Sequence, residues 1–174
     1  MARVVLGETQ RRRAYEHLFR AHYRSVESFV RSRFGSLDCD AVLSKTFEVA
    51  WRRLEDIPAE APRGWLIAVA RNCARNEQRG SRRRRQRLDD YAAVIQLPDV
   101  EPPPISEETF ESFRQAFDRL STSDREVLLL ADWDGLIGED LGAALGVSKS
   151  TAAVRLHRAR TRLRTYFTEE GESQ

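Results

Sequence analysis

EDLGAALGVSKSTAAVRLHRARTRLR, residues 139–164, decides the fold of the C-terminal half. Leu141, Ala144 and Leu145 recur at helical spacing, which predicts a short helix over about 138–145. Gly146 follows, where a tight turn favours a residue without a Cβ. Val147 is placed to plug the angle between two helices, and Ser148 to cap the next one. Ala152, Leu156, Ala159 and Leu163 then form the inward stripe of a longer helix over about 148–167. Turn, cap and stripe agree on a helix-turn-helix, whose second helix enters the DNA major groove. Lys149, Ser150, Ala153, Val154, His157 and Arg158 fall on its outward face, in the half that reads base edges. Arg155, Arg160, Arg162 and Arg164 line the flanks, within reach of phosphates. A solvated arginine face on an amphipathic helix would explain the charge alone. It would not explain the turn and the cap, so DNA binding is the favoured reading.

Upstream of this motif the helical spacing continues. Ser106 with Glu108 and Thr109 marks a helix start, and Phe110, Phe113, Phe117 and Leu120 form its apolar stripe. Ser123 begins the next helix, with Glu126 three residues on as a capping box. Val127, Leu128, Leu130 and Ala131 face inward there, and Gly135 closes it. The tail 168–174 is acidic and reads as frayed. These segments make a helical domain over 107–168.

Residues 88–113 carry seven acidic side chains and no basic one, with Pro98 and the run Pro102, Pro103, Pro104. Proline at this density blocks helix and favours an extended chain. The stretch 89–106 therefore reads as a linker, able to span up to roughly 60 Å.

Before it, Tyr15, Leu18, Phe19, His22, Val26, Phe29, Val30 and Phe34 form one helical stripe, with Gly35 just past its end. Leu43, Phe47, Ala50, Trp51 and Leu54 form a second, which stops before Pro58. Pro62 and Gly64 open a third helix that runs from Trp65 through Leu66, Val69 and Cys73 toward Arg79. Trp51 and Trp65 read as core rather than as stacking platforms. The result is a three-helix domain over 10–88. No alternating strand pattern interrupts it, so the fold class is all-α: two small helical domains joined by an acidic, Pro-rich linker.

The chain has 174 residues, 32% charged and 41% apolar, as befits a globular protein. Its longest apolar runs, such as 65–70, are far too short to cross a bilayer, and 1–13 contain no signal-peptide core. Cys39 and Cys73 make no disulfide framework, so a cytoplasmic location without membrane insertion is expected. Net charge is +2, but residues 1–90 carry 20 basic and 12 acidic groups, 91–118 carry 1 and 6, and 119–174 carry 8 and 9. Six basic groups and no acid fall within 149–164. Two basic patches flanking an acidic stretch point to a polyanionic partner.

The string VRLHRARTRLR, preceded by DREVLLLADWDGLIGEDLGAALGVS, resembles region 4 of the extracytoplasmic-function sigma factors, the group IV branch of the sigma-70 family. YEHLFRAHYRSVESFVRSRFG resembles region 2.1, TFEVAWRRLEDIP region 2.2, and GWLIAVARNCARNEQRGSRRRR regions 2.3 and 2.4. The resemblance covers residues 14–167 in the family's order. It implies binding to the clamp and flap regions of core RNA polymerase and reading of promoter DNA. The first domain would read and melt the −10 element, and the second would read the −35 element as duplex.

By the same resemblance, the loop 56–64 and the start of the third helix form a pocket for an unstacked base. Asn72 lies near that base, and Arg63, Arg71, Arg75 and Arg79 belong to the −10 surface. Arg82 to Arg85 and Arg87 suit upstream phosphates. Asp40, Ser44, Lys45, Phe47, Glu48 and Trp51 are the implied polymerase contacts. Lys149, Ser150, Ala153, Val154, Arg155, His157, Arg158, Arg160 and Arg162 are the implied −35 contacts. In the linker, Asp89, Asp90, Asp99, Glu101, Glu107, Glu108 and Glu111 could mimic RNA phosphates or simply solubilise the chain.

Two departures stand out. Ala41, Ser44 and Lys45 replace the family's usual Asp, Gln and Glu, and Ala153 replaces a common Lys or Arg. Members of this kind can be held by an anti-sigma protein. No catalytic set, cofactor loop or metal spacing emerges around His17, His22, His157 and the two cysteines. The competing readings are a stand-alone helix-turn-helix regulator and, with least support, a nucleic-acid enzyme.

Overall fold

The computed structural model describes residues 7–85 and 106–172, without the side chains of 80–85 and 170–172. Every regular element among them is helical. The chain divides into two compact units, Met1–Ala92 and Ala93–Gln174. The linker segment 89–105 lies outside the described residues.

In the first unit, α1 (Glu8–Phe34) opens on acidic Glu8 and closes on Arg31 and Arg33, each charge opposing the helix dipole at its end. Asp38 caps α2 (Cys39–Arg52) by accepting the Ala41 amide at 3.0 Å. A 3₁₀ turn, Leu54–Asp56, then reverses the chain. Pro62 starts α3 (Pro62–Arg85), a position where a missing N–H costs nothing. All three helices pack on one another. Val26, Val30, Val42, Ala50, Leu66, Ile67, Ala70 and Ala74 are fully buried between them. Removing such apolar surface from water supplies most of the stability. The one buried hydroxyl on α2, Thr46 Oγ1, donates to the Val42 carbonyl at 2.7 Å.

An aromatic cluster seals the seam between α1 and α2. Phe47 packs on Phe19 at 4.8 Å and on Tyr23 at 5.6 Å, and the Tyr15 hydroxyl donates to the Phe47 carbonyl. Trp51 differs from the sequence expectation. It meets Tyr15 edge-on at 5.1 Å, yet 37% of it stays exposed under the Arg11 guanidinium.

In the second unit, Ser106 caps α4 (Glu107–Asp118) through the Thr109 amide. The cap of α5 (Thr122–Leu128) corrects the sequence expectation: it is Ser121 with Asp124, not Ser123 with Glu126. Both pairs have the same spacing. The Ser121 hydroxyl also donates to the Asp124 carboxylate at 2.8 Å. A π-helical turn, Leu129–Trp133, leads toward α6 (Gly138–Leu145), and α7 (Lys149–Glu172) completes the unit. The helix α7 runs five residues past the expected end at Phe167. Arg119 holds that extension, with its guanidinium 4.3 Å from the Tyr166 ring and 2.7 Å from the Glu169 carboxylate. The core gathers Phe117, Leu120, Val127 to Leu130, Leu136, Leu141, Ala144, Ala152 and Ala159.

Candidate nucleic-acid interface

The angle between α6 and α7 is set by two glycines. Gly146 takes the left-handed conformation (φ 68°) that ends α6, and Val147 N then donates to the Gly142 carbonyl at 3.0 Å. Gly142 is buried against this turn. A Cβ there would stand 2.9 Å from the Val147 carbonyl oxygen and 3.1 Å from the Lys149 nitrogen. Ser148 caps α7 by accepting the Thr151 amide at 3.2 Å. Ala152 and Ala159 are buried, while Leu156 and Leu163 are half-buried. The inward stripe read from the sequence is therefore the packed face.

The opposite face of α7 presents Ser150, Ala153, Val154, Arg155, His157 and Arg158, all exposed. Val154 is 49% exposed, unusual for its apolarity, and forms an open hollow with Ser150, Thr151, Arg155 and Arg158. Lys149 is exposed beside Glu139, 3.8 Å away. Arg160 and Arg162, expected to reach phosphates, instead hold carboxylates of their own unit, Asp132 and Asp124. Asp132 holds the Arg160 guanidinium protonated still more firmly than usual through its hydrogen bond.

On the first unit, Asn72, Arg75 and Arg79 are exposed on α3 at spacings of three and four, one continuous face. Arg71 is half-buried beside them. Arg63 sits in the first turn, its Nε donating to the Ser25 hydroxyl at 2.6 Å. Arg82 to Arg85 extend α3, but their side chains, and Arg87 altogether, lie outside the described residues.

A second exposed stripe runs along α2. Asp40, Ser44, Glu48 and Trp51 follow one another at spacings of four, four and three. Asp40 pairs with Arg31 at 3.1 Å, and Glu48 with Arg52 at 3.7 Å. Lys45 stands beside the stripe and pairs across to Glu77 of α3 at 3.0 Å. Phe47 departs from the expected contact set. At 4% exposure, inside the aromatic cluster, it supports the stripe from below.

Of the acidic residues grouped with the linker, Glu107 and Glu108 form the first turn of α4, and Glu111 pairs with Arg114 at 2.8 Å. No group of three or more His, Cys, Asp or Glu residues among the described residues could hold a metal ion. No helix among them is long and apolar enough to cross a membrane. Gly142, Asp124 and Asp132 also shape the interface. The glycine pair at 142 and 146 was a readable signal. The two acids were not, since their partners lie 38 and 28 residues away.

The sigma-70 region 2 family matches residues 18–85, and the sigma-70 region 4 family matches residues 110–163. The chain is 30% identical over 172 residues to the RNA polymerase sigma factor CnrH of Cupriavidus metallidurans, covering 92% of this chain and 90% of that one. It is 29% identical over 149 residues to the ECF RNA polymerase sigma factor EcfG of Rhodopseudomonas palustris, covering 84% and 81%. Among solved structures, CnrH in complex with the cytosolic domain of CnrY aligns with a TM-score of 0.53 and 25% identity, over 91% of this chain and 90% of that one. The sigma factor RpoE of Bartonella quintana, in complex with the anti-sigma factor NepR, aligns with the same score at 20% identity, over 88% and 96%, a likeness of fold.

Proposed function

The chain belongs to the extracytoplasmic-function branch of the sigma-70 family, and from that premise we propose how its surfaces divide the work. It is an RNA polymerase sigma factor that acts in promoter-specific transcription initiation, with core polymerase and promoter DNA as partners.

We propose that α7 lies in the major groove of the −35 element. Arg158 and Ser150 read base edges there, and Val154 with Ala153 offers an apolar contact to them. Arg155 and Arg164 face the flanking phosphates. The face of α3 made by Asn72, Arg75 and Arg79 takes the −10 element, the amide pairing with an unstacked base and the arginines with the backbone. The α2 stripe of Asp40, Ser44, Glu48 and Trp51 meets the polymerase clamp. Trp133 and Ile137, 47% and 78% exposed, offer apolar surface to the flap, since exposed patches of this kind mark protein contacts. The reaction chemistry belongs to the polymerase, and the chain itself is not an enzyme. It works in the cytoplasm and is open to capture by an anti-sigma protein, as its structural relative from Bartonella is.

The observation that carries this reading is that both matched regions, in family order, present an exposed basic helix face. The test is reconstitution with core RNA polymerase and run-off transcription on fragmented genomic DNA. The reading predicts a stable holoenzyme and discrete start sites preceded by a shared pair of motifs.

A further inference from the structure

The basic side chains of α7 fall into two groups. Arg155, Arg158 and Arg164 are exposed and, among the described residues, have no acidic partner. Arg160 and Arg162 turn back onto their own unit. Arg160 engages both oxygens of Asp132, Nη2 on Oδ1 and Nε on Oδ2. Asp132 lies in the π-helical turn that precedes α6, the first helix of the helix-turn-helix. Arg162 Nη1 stands 2.9 and 2.7 Å from the two oxygens of Asp124. That carboxylate is only 13% exposed and also accepts the Ser121 hydroxyl at 2.8 Å, in the first turn of α5. The two arginines therefore fasten the middle of α7 to two separate elements behind it.

An isolated surface ion pair contributes little stability. Its value here is directional. The two guanidinium nitrogens of Arg160, set on the two oxygens of Asp132, fix angle as well as distance, while Arg162 reaches through one nitrogen a carboxylate that Ser121 already anchors. A guanidinium already neutralised by its own carboxylate also displaces no counterion from DNA.

We infer that Arg160 and Arg162 are positioning residues of the recognition helix, held by Asp132 and Asp124, and that phosphate neutralisation by α7 falls to Arg155 and Arg164. The inference rests on the proposed assignment of α7 to the −35 element.

The test is the salt dependence of promoter binding by holoenzyme assembled with each variant, on a promoter fragment recovered by run-off. Arg155→Ala is expected to flatten the plot of log affinity against log salt by about 0.9, the loss of one phosphate contact. Arg160→Ala and Arg162→Ala are expected to lower affinity at every salt concentration with the slope unchanged. Asp132→Asn, which frees the Arg160 charge, should steepen the slope rather than flatten it, and the Arg160→Asp/Asp132→Arg exchange should recover affinity relative to Arg160→Ala. Asp132→Asn decides the matter even where Arg160→Ala fails to fold. A slope flattened by about 0.9 in Arg160→Ala, an Asp132→Asn slope that does not steepen, or an exchange variant that binds no better than Arg160→Ala, would overturn the inference. Wild-type holoenzyme that binds the fragment equally well with its −35 element scrambled would overturn the −35 assignment beneath it.

Discussion

The α-carbon of Gly142 faces the Val147 carbonyl so closely that a methyl group on it would stand 2.9 Å from that oxygen. The obstacle is backbone on both sides, since the Lys149 nitrogen is 3.1 Å from the same point. Neither can swing away as a side chain would. Gly142→Ala is expected to destabilise the second unit by about 1–3 kcal/mol, the usual range for overpacking. Thermal unfolding followed by circular dichroism should show a lower midpoint, and promoter binding should fall with it as α6 and α7 move apart.

Phe47→Ala should act through the fold. Its ring packs against both Phe19 and Tyr23, and truncating a buried Phe costs about 3–5 kcal/mol. Glu48→Ala, one residue on and exposed, should leave stability within about 0.5 kcal/mol. It should weaken binding to core polymerase instead. Denaturant titration beside a polymerase binding assay separates the two effects.

Arg158→Ala should lower promoter-dependent transcription by weakening −35 recognition, by about 1–3 kcal/mol if it makes a good base contact. The fold should be untouched, since the side chain is exposed and has no ion-pair partner among the described residues. Run-off assays on promoters altered in the −35 element would show that the defect depends on that element. A folded variant with full promoter output would refute this placement.

Acid should loosen α4 in a defined window. Hydrogen bonds from Arg114 and Gln115 hold the Glu111 carboxyl at about 2, below its ordinary 4.5. A folded-state value below the unfolded one stabilises the fold above the unfolded value. That contribution fades as pH falls from 4.5 toward 2. Glu111→Gln should remove this part of the acid sensitivity. Comparing melting midpoints of the two proteins across the window checks it.

Much of this was legible in the residues. The stripe of Ala152, Leu156, Ala159 and Leu163 and the helix from Gly138 to Leu145 follow from spacing alone, and the structure has both. What escaped depends on distant partners. Ser121 and Ser123 each stand three residues before an acid, and local sequence cannot rank them. In the structure Ser121 is the cap, and Arg162 holds Asp124 from across the unit. The acidic tail after Phe167 reads as frayed in sequence because nothing nearby reveals that Arg119 pairs with Glu169. The arginines of α7 look equivalent in sequence for the same reason. Only the packed unit shows that Arg160 and Arg162 face carboxylates while Arg155 and Arg158 face outward. Phe47 and Trp51 share one stripe, and their different burial reflects where the aromatic cluster ends.

The most direct test of the central claim is footprinting on one promoter with the free chain and with the holoenzyme. The account predicts that holoenzyme protects two separate segments, at −35 and −10. It also predicts that thymines near the second segment become reactive to a single-strand probe, and that the free chain does neither at the same concentration. Protection of one duplex site by the free chain, unchanged by core polymerase and without melted thymines, would contradict it and identify a stand-alone DNA-binding regulator.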